Sequence, residues 1–278
     1  MTTQTQTIFI TGCSSGIGYT TAIELQKRGH RVICSARKAD DVIRLQNEGF
    51  DCLQLDLADS VSIQQAVEQL IQLTDGKVDA VFNNGAFGQP GAVEDLSRET
   101  LRNQFETNFF GTHELTNLLI PLMRLQGHGR IIYNSSVLGF VAMKYRGAYN
   151  ASKFALEGLA DTLRLELRGT GIHIALIEPG PIESHFRKNA FAMYQKNIDP
   201  SKSYHRETYQ AMEARLQKQG PAAPFTLPAT AVAEKVIHAL ESNKPKYRYP
   251  VTVPTHLFSW LKRFLPTAWL DKILISVE

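Results

Sequence analysis

Two alternating rhythms of apolar and polar positions run along the chain. Short β-branched runs at "TIFIT" 7–11, "RVICSA" 31–36, "DCLQL" 51–55, "VDAVFN" 78–83, "GRIIYNS" 129–135 and "GIHIALIEP" 171–179 read as strands. Between them lie "GIGYTTAIELQKRG", "DSVSIQQAVEQLIQL", "LRNQFETNFFGTHELTNLLIPLM" and "AYNASKFALEGLADTLRLELR", where apolar residues recur every three or four positions, as on one face of a helix. Strand and helix in regular succession predict a parallel sheet, because parallel neighbours need crossover connections. The expected fold is α/β, a doubly wound parallel sheet flanked by helices on both faces.

The proline-rich "GPAAPFTLPA" 220–229 is the best candidate break. The remainder of the chain beyond it, one helix, a strand at "KYRYPV" 246–251 and a tail, is too little for an independent domain. The chain therefore reads as one domain over 1–251 with a helical C-terminal extension over 252–278. At 278 residues, 43% of them hydrophobic, it can bury a substantial core. A net charge of +3, with the basic residues dispersed, gives no reason to expect a nucleic-acid partner. The odd count of cysteines (Cys13, Cys34, Cys52) and the polar opening "MTTQTQT" point to free thiols and a cytoplasmic location. No apolar run approaches the ~18 residues of a membrane-spanning helix, and no metal-ligand cluster stands out.

Between the first strand and first helix lie Gly12, Gly16 and Gly18, with Ser14, Ser15 and Ile17 among them. Glycines there permit a tight turn and close approach of a phosphate, and the helix N-terminus offers free N–H groups. A pyrophosphate site is the expectation. At the end of the second strand stand Ala36 and Arg37 where an NAD site usually carries an acidic residue. A guanidinium there suits the 2′-phosphate of NADP(H).

Tyr149 and Lys153 are four apart in a helical segment and so share a face. The ammonium, with the positive ring of an oxidised cofactor, is expected to favour phenolate and lower the tyrosine pKa, fitting Tyr149 for acid/base chemistry. Alternation along the strand end points Ser135 and Ser136 in opposite directions.

The G-x-x-x-G-x-G spacing, "NNGA" 83–86 and Tyr149-x-x-x-Lys153 together resemble the short-chain dehydrogenase/reductase family, over about Thr7 to Ser184. The resemblance implies a Rossmann-type oxidoreductase with four roles: Tyr149 as acid/base, Lys153 to depress its pKa and hold ribose hydroxyls, Ser136 to polarise the carbonyl, and Asn108 to relay protons. It also implies a nucleotide site that includes Asn84, with Asp56 and Leu57 at the adenine, and with Pro179, Gly180, Ile182 and Ser184 at the nicotinamide. Asp56 has a second reading, as a helix-capping carboxylate. "NNGA" departs from the family, which usually has Ala then Gly at its end. On "TGCSSGIG", Arg37 and "EPGPIES", the chain resembles bacterial NADP-dependent aldehyde reductases related to retinol and 17β-hydroxysteroid dehydrogenases.

Aromatic and apolar residues around Tyr149 (Phe140, Val141, Met143, Tyr145) and after the sixth strand (Phe186, Phe191, Met193, Tyr194) either line an apolar pocket or pack a lid onto the domain. The expected reaction is NADPH-dependent reduction of a small apolar aldehyde or ketone. Its alternatives are oxidation of a retinol or hydroxysteroid and non-catalytic NADPH sensing. The tail 255–277, which mixes Trp, Phe and Leu with Lys262, Arg263 and Lys272, is expected to pack on the protein or a partner subunit, with peripheral membrane contact as the other reading. The resemblance also implies a homo-oligomer, dimer or tetramer.

Overall fold

The structure, a computed structural model, describes residues 5–218, 220–221 and 223–276. Parts of three segments singled out above lie outside the described residues: 1–4 of the polar opening, Ala222 of the proline-rich stretch and residue 277 of the tail.

Seven strands, β1 (Thr7–Ile10), β2 (Arg31–Ala36), β3 (Asp51–Gln54), β4 (Ala80–Asn83), β5 (Gly129–Asn134), β6 (Ile172–Glu178) and β7 (Arg248–Pro250), form one sheet in the order 3-2-1-4-5-6-7. All six pairings are parallel. Helices α1 (Gly16–Lys27), α2 (Ala39–Asn47) and α3 (Ser60–Thr74) follow the first three strands, and α4 (Arg98–Phe105) and α5 (Gly111–Gln126) lie between β4 and β5. After β5 comes α6 (Gly147–Glu166); α7 (Phe186–Asn197), α8 (Arg206–Gln217) and α9 (Thr230–Glu241) precede β7. The tail forms α10 (Val253–Phe264) and α11 (Thr267–Ser276).

Period-two alternation divides the core. Ile8 and Ile10 of β1, with Val32, Cys34, Ala80 and Phe82, pack under α1, α2 and α9. Phe9, Ile33, Val81, Ile131 and Tyr133, from the intervening positions, pack under α3, α5 and α6. Both faces of the sheet are therefore dry, which is why its strands read as nearly continuous apolar runs. β1 has β2 on one side and β4 on the other, so the chain changes direction across the sheet there, and a crevice opens beyond the strand ends.

The sequence expectation and the structure differ in two places. The segment 101–123 is not one regular helix: α4 passes through a π turn at Glu106–Phe110 into α5, and Asn108 sits in that turn. In addition, α2, α7 and α8 are helices that the sequence pattern above does not assign; α2 has a clear apolar face ending in buried Leu45, whereas α7 and α8 have sparse ones. Among the described residues, no helix is long and apolar enough to cross a membrane.

Candidate functional site

The glycine turn lies at the crevice. Gly12 (φ +71°) and Gly16 (φ +61°) occupy left-handed conformations that favour glycine. A Cβ at Gly18 would lie 2.4 Å from the Gly12 carbonyl oxygen and 2.7 Å from Asn84 Nδ2. Asn84 clamps the turn: its Nδ2 donates to the carbonyls of Thr11 (3.0 Å) and Gly12 (3.2 Å), and its Oδ1 accepts from Asn134 Nδ2 (3.0 Å). Thr11 Oγ1 accepts from the backbone N–H groups of Asn84 and Gly85. Ser15, ahead of α1, makes no side-chain capping bond, and the first turn of α1 holds no acidic residue, so its N–H groups are left for an anion. This cradle fits a dinucleotide pyrophosphate.

The departure in "NNGA" has a local cause. A Cβ at Gly85 would lie 2.8 Å from Leu57 Cδ1 and 3.2 Å from Thr11 Oγ1, so the Leu57 side chain fills the space an alanine would need. Asp56 is not the helix cap. That part is taken by Asp59, whose Oδ1 accepts from Val61 N (2.9 Å), while Asp56 Oδ1 accepts from Ala58 N (3.0 Å) and closes a turn. Arg37 is exposed just past β2, and its side chain makes no hydrogen bond or ion pair among the described residues; Gln54 Nε2 fixes its carbonyl (3.1 Å).

Across the crevice, α6 carries Tyr149 and Lys153. Lys153 is 2% exposed; its Nζ donates to the Asn134 carbonyl (2.6 Å) and lies 5.7 Å from the centre of the Tyr149 ring. Ser136 follows β5, and its Oγ accepts from Leu138 N (3.1 Å). The Pro179 carbonyl accepts from Val137 N (2.8 Å), tying this serine turn to the loop after β6. In that loop a Cβ at Gly180 would strike Thr252 Oγ1, and Ile182 pairs with Leu227. The Ser184 side chain packs against Gly16, its Cβ 3.2 Å from where a Cβ there would stand. The loop thus brings Ser184 from the β6 end onto the glycine turn. The Asn108 amide brackets Phe87, accepting from its N–H (3.1 Å) and donating to its carbonyl (2.9 Å), and donates to Ser152 Oγ (3.3 Å), which in turn donates to the Tyr149 backbone carbonyl (2.9 Å).

In the chain by itself burial pushes Tyr149 up to about 12, against the favourable influence of the neighbouring Ser136 hydroxyl. The expected lowering depends on an oxidised nicotinamide acting together with Lys153. Burial also brings Lys153 down to about 8, against the raising influence of Glu157. The spacing of Tyr149 and Lys153 gave their proximity but not their depth.

The apolar residues split into two groups. Phe140, Val141 and Met143 pack with Val137, Leu138 and Tyr149, and tail residues Phe258, Leu261, Leu270, Ile273 and Leu274 complete that wall. The Phe186 ring meets the Tyr149 ring edge-on at 5.3 Å. Tyr145, Phe191 and Tyr194 belong to a separate cluster with Ile198 and Tyr209. Tyr145 is therefore turned away from Tyr149, and its hydroxyl lies 3.3 Å from His205 Nδ1. The pattern-based reading missed Thr11, Asn134 and Glu157. Each had a signal: Thr11 precedes the first glycine, Asn134 opens the serine stretch, and Glu157 repeats the four-residue step from Lys153.

The model of the family described as short chain dehydrogenase matches residues 6–195. The chain belongs to the short-chain dehydrogenase family. A short-chain dehydrogenase of this build is an oxidoreductase with a nicotinamide-nucleotide site, for NAD or NADP. Oxidoreductase YbbO of Escherichia coli K12 is 44% identical over 269 residues, covering 97% of this chain and 94% of that protein. Human retinol dehydrogenase 8 is 31% identical over 258 residues, covering 87% and 80% of the two chains. Among solved structures, a short-chain dehydrogenase from Streptomyces avermitilis superposes with a TM-score of 0.78 at 25% identity, over 98% of this chain and 95% of that one.

Proposed function

We propose that this short-chain dehydrogenase uses NADPH to reduce an apolar aldehyde or ketone to the alcohol. The observation that carries this reading is the convergence of Ser136, Tyr149 and Lys153 beneath a wall of Phe140, Val141, Met143 and Phe258. A carbonyl compound seated against that wall presents its oxygen to the Ser136 and Tyr149 hydroxyls, and its apolar remainder to the wall. The nicotinamide, when bound, supplies the hydride. Tyr149, neutral at physiological pH, donates its proton to the oxygen as charge builds there. The Lys153 ammonium stabilises the phenolate left behind and binds ribose hydroxyls. In this reading Asn108 takes part in replacing that proton, as the family resemblance implies.

In this reading Gly12, Ser14, Ser15, Gly16, Ile17 and Gly18 hold the pyrophosphate, and Asn84 holds the turn in shape. Asp56 and Leu57 flank the adenine, and Pro179, Gly180, Ile182 and Ser184 form the nicotinamide side. The likeness to retinol dehydrogenase 8 supports a second reading, in which the same groups run oxidatively on a retinol or hydroxysteroid. Free, buried Cys13, Cys34 and Cys52 suit a cytoplasmic protein, and exposed Leu118 and Leu125 on α5 with Leu165 on α6 suit assembly as a dimer or tetramer.

NADPH consumption with aliphatic aldehydes, retinal and keto-steroids tests the reaction. Turnover of at least one apolar carbonyl is expected, and turnover confined to polar sugars would sink the proposal. The cofactor preference rests on Arg37, whose exposed guanidinium is free for a 2′-phosphate. Arg37→Glu is expected to raise the KM for NADPH by about 10- to 100-fold, equivalent to about 1.4–2.7 kcal/mol, and to leave that for NADH within about threefold. Equal losses with both nucleotides would remove Arg37 from the phosphate site.

A further inference from the structure

We propose that Glu157 is a positioning residue for the reaction: it anchors the Ser135–Ser136 turn and keeps a negative charge one helical turn behind Lys153. The inference rests on the reductase reading above. Tyr149, Lys153 and Glu157 succeed one another at four-residue steps on one face of α6. Glu157 is buried at 6% exposure, an unusual place for a carboxylate. Its Oε1 accepts a hydrogen bond from the Ser135 hydroxyl, and its Oε2 one from Arg248 Nη1.

Ser135 and Ser136 are consecutive, and Ser136 has extended backbone (φ −170°, ψ 160°), so their side chains leave on opposite sides. Holding Ser135 on Glu157 fixes the direction in which Ser136 meets Tyr149. The space is reserved for the carboxylate: a Cβ at Gly139 would stand 2.6 Å from Ser135 Oγ and 2.9 Å from Glu157 Cγ.

The charges facing Glu157 come from every element packed around it. Arg248 on β7 also donates to Glu178 Oε1 of β6 (2.6 Å) and to Asp161 Oδ2 of α6 (2.7 Å). Lys262 of α10 and Lys153 are the other cations that sense it. A tether alone needs no ion on Glu157, since an amide oxygen would accept from Ser135 as well. The ion matters for Lys153, whose desolvated ammonium donates to the Asn134 carbonyl, a neutral acceptor. A carboxylate behind it favours the charged form, and a lysine held charged is what the Tyr149 phenolate requires.

The test uses the full chain with 13C-labelled lysine, following the titration of Lys153 without cofactor, and the pH profile of carbonyl reduction with NADPH. In the wild type Lys153 is expected to titrate near its lowered value of about 8, and kcat to fall as pH rises through it, because the ammonium is lost. Glu157→Gln keeps size and acceptor but removes the charge. It is expected to move both the Lys153 titration and the alkaline limb about one pH unit lower, which cuts kcat at pH 8 about threefold to tenfold. Glu157→Asp retains the charge and is expected to restore the titration. Should Glu157→Gln fail to fold, Glu178→Gln reads the same network with the opposite sign: losing the like charge beside Glu157 favours its ionised form, so Lys153 is expected to titrate slightly higher, and a downward shift overturns the proposal. A uniform loss of kcat with an unmoved Lys153 titration overturns the proposal. A shifted titration in a protein that reduces no carbonyl leaves the Lys153 coupling standing and overturns the reductase reading instead.

Discussion

Replacing Tyr149 with phenylalanine is expected to lower kcat for NADPH-dependent carbonyl reduction roughly 10²- to 10⁴-fold, the usual worth of a positioned general acid. The dissociation constant for NADPH is expected to stay within about threefold. Phenylalanine keeps the ring that packs on Phe186 and on the apolar wall, so it leaves the surroundings of Ser136 and Lys153 in place. What it removes is a hydroxyl whose pKa, at about 12, keeps it protonated at neutral pH. Such a group keeps its proton at neutral pH and becomes a better proton donor as the Lys153 charge, and the positive charge of an oxidised nicotinamide, stabilise its anion. The contrast is sharpest in the oxidative direction, where the phenolate is needed first. Isothermal titration with NADPH and steady-state assays in both directions measure both parts. A variant retaining a tenth of wild-type kcat would assign the proton to another group.

Gly111→Ala is expected to be the most damaging change of a single methyl group. A Cβ there would lie 1.7 Å from the Leu57 carbonyl oxygen and 2.7 Å from its carbonyl carbon. Both atoms are backbone, which cannot rotate aside, so α5 and the loop after β3 must separate. Overpacking of this kind costs about 3 kcal/mol or more, which for a chain of this size lowers Tm by about 6–12 °C. The shift also drags the π turn with Asn108 on one side and Leu57, proposed above to flank the adenine, on the other, so NADPH affinity is expected to fall as well. Gly158→Ala is the control: nothing lies within 4 Å of its Cβ, and removing a mid-helix glycine from α6 is expected to stabilise by about 0.5–1 kcal/mol. Thermal denaturation of the two variants side by side checks both. A Gly111→Ala protein within 2 °C (about 0.5 kcal/mol) of wild type would refute the close approach.

The sheet was legible because most strand positions are buried on both faces and so read as nearly continuous apolar runs, as Val32 to Ala36 of β2 do with Ser35 alone polar among them. The glycine turn was legible because its constraints are local: Gly12, Gly16 and Gly18 lie within seven residues. Legibility failed where the cause was distant or three-dimensional. α7 and α8 pack mostly through Tyr194 and Tyr209 and a few neighbours, too sparse an apolar stripe to declare a helix. The π turn left no trace in the apolar pattern of 101–123. The direction of the Tyr149 shift depends on how deep the hydroxyl lies, which four-residue spacing does not encode. Glu157 stood in plain view in "KFALEG", but its partner Arg248 is 91 residues away, and a glutamate on a helix reads as solvated until that partner is known.

The placement of Arg248 on β7 has a consequence for the order in which the protein is made. Glu157 and Glu178 leave the ribosome first, and the guanidinium that pairs them follows Glu178 by 70 residues, a delay of about 4–14 s at usual rates of synthesis. Until it arrives the two carboxylates are better off in water than buried. The nucleotide-binding half waits as well, because α9 covers the core beneath β1 and α1, Asn134 of β5 steadies Asn84, and Ser184 packs on the glycine turn. The wall beside Tyr149, supplied by the helices after β7, is the last part to be made.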